Sequence, residues 1–86
     1  MDAQTAERKA LLFSAGGIRF ALRLNQIREI LQSTEVGPEI TVRGEAMSAL
    51  PVALSLGLPI TRTNFALVIA STPPVALRVD ELHGII

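Results

Sequence analysis

The chain has 86 residues, 49% of them hydrophobic and 19% charged. That length makes one small domain, which buries only roughly 60–65% of its unfolded surface, and the apolar share is too high for disorder. Eight basic residues offset eight acidic ones, so no long-range field gathers nucleic acid or an anionic membrane, and the lack of cysteine excludes disulfides and thiolate metal sites.

The opening residues, MDAQTAERKA, place acidic and polar groups where a signal peptide needs a basic start and then an apolar run. The most apolar stretch, ALPVALSLGLPI over residues 49–60, is shorter than the about 20 residues of a bilayer-spanning helix and is interrupted by Pro51, Gly57 and Pro59. A cytoplasmic protein is expected, with residues 1–8 as a tail and 9–86 as the domain.

In chain order, ALLFSAGGIRFALRL reads as a hairpin. Ile18, Phe20, Leu22 and Leu24 alternate with Arg19, Ala21 and Arg23, which gives one buried face, and Gly16-Gly17 supplies the turn. In NQIREILQ, Asn25 can cap a short helix that puts Leu24, Ile27, Ile30 and Leu31 on one face and turns Arg28 and Glu29 toward solvent. Residues 33–39, STEVGPE, are a loop. Residues 40–43 suit a short strand ending at Gly44. LPVALSLGLP reads as a strand end entering one or two helical turns stopped by Gly57 and Pro59, with Leu54 and Leu58 inward.

A second hairpin follows. FALVIA, residues 65–70, is apolar on both faces, as a central strand is. STPP turns the chain, and Val75, Leu77 and Val79 alternate with Ala76, Arg78 and Asp80 in a half-buried strand. Laid over one another at an offset of 55 without a gap, residues 11–31 and 66–86 share Leu12 with Leu67, Ala15 with Ala70, Ala21 with Ala76, Leu22 with Leu77, Arg23 with Arg78 and Ile30 with Ile85. An internal repeat is the reading of this match. It places Asp80 on Asn25 as a helix cap and His83 on Arg28 on a polar helical face, and a single histidine lacks the ligand count of a metal site. The first copy is followed by the 33 residues 32–64, and the second reaches Ile86 without an equivalent, so one and a half units are expected.

Four segments in order carry a family resemblance. LLFSAGGIRFALRLNQIREIL resembles the opening of the CheW-like chemotaxis coupling domain, a hairpin ending in FAL followed by an apolar, basic, Glu, apolar segment, here Ile27-Arg28-Glu29-Ile30. VRG, LPVALSLGLP and VALRVDELHGI resemble that family's Arg-Gly loop, its Pro-Val strand running to a Leu-Gly-Leu turn, and its Val-Asp-Glu strand end. The resemblance covers about residues 9–86.

What the resemblance implies is a mostly β fold, a pair of small SH3-like β-barrels with the second incomplete, and short helical turns. It also implies a non-catalytic adaptor without a cofactor, coupling chemoreceptors to the histidine kinase CheA, with Ile27, Arg28, Glu29, Ile30, Arg43 and Gly44 as partner-binding residues. From the residues alone, Ile27 to Ile30 read equally as a solvated face with two core residues, and Arg43-Gly44 as an ordinary turn. Two further readings remain, a shortened CheW-like interaction module outside chemotaxis and a small-barrel nucleic-acid binder.

The nucleic-acid reading wants a basic groove and exposed aromatics, whereas Phe13, Phe20 and Phe65 sit at core positions of strands. A hydrolase built from Ser48 or Ser55 with His83 and Asp80 lacks a glycine-flanked nucleophile elbow. An incomplete barrel leaves an open edge near Ile85 and Ile86, which favours self-association as a homodimer or completion by a partner.

Overall fold

The computed structural model describes residues 8–59 and 62–86. Ala10–Ala15 (β1) and Ile18–Arg23 (β2) form the expected hairpin. Gly16 and Gly17, at φ +59° and +83°, make a two-residue turn whose twist matches that of the strands it joins. A 3-10 turn, Leu24–Gln26, then leads into Ile27–Gln32 (β3). Next come Glu39–Val42 (β4), Glu45–Pro51 (β5), the single-turn helix Val52–Ser55 (α1), Phe65–Ile69 (β6), Val75–Val79 (β7) and Glu81–Ile85 (β8). One sheet has the order β2-β1-β8 and the other β3-β6-β7-β5-β4. The fold is therefore mostly β, with short helical turns.

Both segments read as helices after the hairpins are strands. Asn25 makes no capping bond, and Ile27 opens β3 rather than a helix. An apolar set at 27, 30 and 31 fits a short helix and a strand alike, and so short a helix is marginal without packing. The open edge of β6 decides the matter, taking β3 in an antiparallel pairing. Likewise β8 pairs antiparallel with β1, so His83 lies on a strand. Asp80 caps no helix. Its Oδ2 accepts a hydrogen bond from the Gly16 N–H at 3.2 Å and its N–H donates to the Ser14 carbonyl at 2.9 Å, which ties the first hairpin to the junction between β7 and β8.

Each hairpin thus sends its following strand to the other sheet. Between the sheets lies a cluster of Leu11, Phe13, Leu67 and Val79, flanked by half-buried Phe20, Leu22, Ile27, Phe65 and Leu77. Phe13 and Phe20 are register partners whose stacked rings lie 5.6 Å apart. Ile18, expected inward, is exposed at the outer end of the hairpin, and Leu54 is exposed on α1. A second cluster of Ile40, Val42, Met47, Ala49, Ala66, Val68 and Ala76 lies on the other face of the larger sheet. The strand Glu45–Pro51, which escaped the sequence reading before Leu50, supplies Met47 and Ala49 to it.

β7 is the one strand paired in parallel to β5 as well as antiparallel to β6, and it is buried on both faces. Arg78, expected on a solvated face, is only 2% exposed. Its guanidinium donates to the carbonyl of Glu35 at 2.7 Å, of Gly37 at 3.3 Å and of Glu39 at 3.2 Å. A buried charge is tolerated because these oxygens replace its water. The loop before β4 is thereby held against β7. Arg78→Met keeps the apolar stem and removes the donors, and is expected to cost about 3 kcal/mol. At about 4–8 °C per kcal/mol, the thermal midpoint falls by more than about 10 °C; an unchanged midpoint would refute the anchoring role.

Candidate partner-binding surface

The six residues singled out from the sequence lie at two places, residues 27–30 and 43–44, and an ion pair joins them. β3 and β4 are the two outer strands of the five-stranded sheet. The sheet curls enough that the turn after β4 reaches β3, where Arg43 donates to Glu29 Oε2 from Nε at 3.2 Å and from Nη2 at 3.1 Å. Beside it, Arg28 Nη2 contacts Glu45 Oε1 at 3.2 Å. Two crossed charge pairs therefore link β3 to the β4–β5 hairpin.

Local geometry sets each side chain. The β3–β6 register slips between Ile27 and Glu29, leaving Arg28 as the extra residue of a bulge. Ile27 is turned into the central cluster, Glu29 is half-buried, and Arg28 and Ile30 are exposed. Arg43 and Gly44, at φ +53° and +80°, form a two-residue hairpin turn with both residues left-handed. Glycine or asparagine meets that demand at less cost than arginine, whose Cβ is strained there by about 1 kcal/mol. The Arg43 side chain is 81% exposed and can meet a partner while holding Glu29. Ile27 alone among the six is committed to the core.

The rival sites come apart. Ser48 is on β5 and Ser55 on α1, whereas His83 is exposed on β8 in the other sheet. Phe13 is buried and Phe20 and Phe65 are packed in the central cluster, which leaves no ring of the three on an open groove. Among the described residues no group of three His, Cys, Asp or Glu side chains could hold a metal ion, and no helix is long and apolar enough to cross a membrane.

No protein-family model matches the sequence, and no curated protein matches it either. Among solved structures, the crystal structure of the scaffolding protein TtCheW from Thermoanaerobacter tengcongensis matches 91% of this chain with a TM-score of 0.78 at 15% sequence identity. The chain has the CheW-like fold. It spans 63% of the length of that scaffolding protein.

Because each pair has at least one arm well exposed to solvent, the pairs add little to stability. Glu29→Gln is expected to change the unfolding free energy by less than about 1 kcal/mol, and Arg43→Gly to leave it equal or higher by relieving the left-handed strain. Urea midpoints measure both; a loss of several kcal/mol in either would make the surface a structural clasp instead.

Proposed function

We propose that the chain is a non-catalytic cytoplasmic adaptor of chemotaxis-type signalling that couples chemoreceptors to the histidine kinase CheA through protein-protein contacts. The observation that carries this reading is the likeness in fold to a protein described as scaffolding. The family resemblance of the sequence supplies the partners. The docking surface is the patch of Arg28, Glu29, Ile30, Arg43 and Gly44, with Ile27 seating β3 from beneath. An apolar residue, Ile30, framed by charges of both signs suits a partner chosen by shape and charge order. The reading extends to self-association along β8, where Ile85 and Ile86 are 55% and 69% exposed at a sheet edge and a second copy can pair across a two-fold axis.

Capture of a CheA kinase or a receptor signalling tip by the purified protein tests the coupling. Arg28→Glu and Glu29→Arg, each folded by circular dichroism, are expected to weaken capture at least tenfold, since exposed charges set partner choice at little cost in stability. Arg43→Gly, which keeps the turn, is expected to weaken it too. Undiminished capture by all three would exclude this surface. Absence of capture by the wild-type protein would move the chain to an interaction module outside chemotaxis, and a shift of labelled nucleic acid would favour the other barrel function.

Self-association is read by sedimentation across a wide concentration range. A dimer is expected that Ile85→Asp and Ile86→Asp dissociate; a monomer at every concentration would remove β8 as an interface.

A further inference from the structure

Arg28 and Glu45 are aimed at one another by two fixed backbone devices. On β3 the bulge leaves Arg28 without a register partner and exposes its side chain. On the facing hairpin, Glu45 is the first residue of β5, directly after the Arg43-Gly44 turn, and stands opposite Val42 as the pair that closes it. The two residues are 17 positions apart, and the curl of the sheet brings Arg28 Nη2 to 3.2 Å from Glu45 Oε1.

The two charge pairs of this surface are held differently. Glu29, whose side chain is 20% exposed, takes Arg43 Nε and Nη2 on one oxygen. The side chains of Arg28 and Glu45 are 41% and 49% exposed, and a single hydrogen bond joins them. That bond engages one guanidinium N–H and, among the described residues, leaves the rest of the fork to solvent. A long side chain on a bulge otherwise samples many rotamers, and fixing one of them when a partner binds costs conformational entropy. The Glu45 carboxylate removes part of that cost beforehand.

We infer that Glu45, which the docking patch did not include, is a positioning residue for recognition. It holds the Arg28 guanidinium so that its remaining N–H groups meet an acceptor, a carboxylate or a carbonyl, on the partner. Ile30, also on β3, is exposed, so that acceptor lies beside an apolar group of the partner. The inference rests on the docking reading above. Glu45 acts through Arg28, and because the pair is exposed its loss costs the fold little. Recognition can therefore be separated from stability at this position.

Affinity is measured by titration with a CheA kinase or a receptor signalling tip, whichever the wild-type protein captures. The wild type, Glu45→Gln, Arg28→Ala and the double variant form a cycle. Glu45→Gln is expected to weaken binding about fivefold, the upper scale of one exposed charge pair, with the thermal midpoint unchanged. In the free protein, nuclear relaxation of the Arg28 Nε–H is expected to show more motion once Glu45 is replaced. In the Arg28→Ala background the same replacement is expected to change nothing, since the residue it acts through is gone. Unchanged affinity of Glu45→Gln overturns the inference. An equal loss in both backgrounds does so too, because Glu45 then touches the partner itself, and a gain in affinity makes it a competitor for Arg28. A lowered midpoint makes the pair structural. Failure of the wild-type protein to capture either partner ends the docking reading and this inference with it, whereas capture indifferent to Glu45 ends the inference alone.

Discussion

The exchange of β3 and β8 between the two hairpins is the constraint on which the rest of the structure depends. A hairpin alone is marginal in water. Here each hairpin is widened by a strand that arrives from the other, so neither sheet exists without the chain crossing twice. The crossings force the apolar faces together, which is why Leu11 and Phe13 of one sheet pack with Leu67 and Val79 of the other. Gly16 shows how tight the joint is. A Cβ there would lie 3.0 Å from the Leu58 Cβ and 3.2 Å from the Ala53 Cβ, so the hairpin turn seats directly on the segment around α1. Asp80, bonded to the Gly16 amide, holds the same turn from the opposite crossing.

Around that joint the energetics divide into buried polar anchoring and exposed charge. Arg78 is held by backbone oxygens in the interior, where loss of a hydrogen-bonded partner is expensive. Glu29 with Arg43 and Arg28 with Glu45 lie at the surface, where solvent screens them. The surface pairs consequently contribute little to folding. A left-handed arginine in a turn adds a small cost of its own, because the backbone would be served better by glycine.

How much of this was legible differs from element to element. The first hairpin was readable because period-two alternation and a Gly-Gly turn are local signals, and they hold in the structure. β6 was readable as a central strand from its unbroken apolar run, and it lies between β3 and β7. The residues of the proposed surface were legible as two separate motifs, but nothing in their spacing said that Arg43 would reach Glu29, since that contact depends on the curl of five strands. Arg78 was misplaced for a related reason. Alternation along β7 assigns it to water, and only the loop before β4, some 40 residues away, supplies the oxygens that let it be buried.

By itself the sequence determined the hairpins, the turns at Gly16-Gly17 and Arg43-Gly44, and the end of α1 near Gly57, because each follows from local sterics or from a pattern within one segment. The tertiary structure alone decided that residues 27–32 and 81–85 are strands, not helices. For so short an apolar run the intrinsic difference between helix and strand is small beside the hydrogen bonds offered by an open edge, and those edges, on β6 and β1, belong to the opposite hairpin.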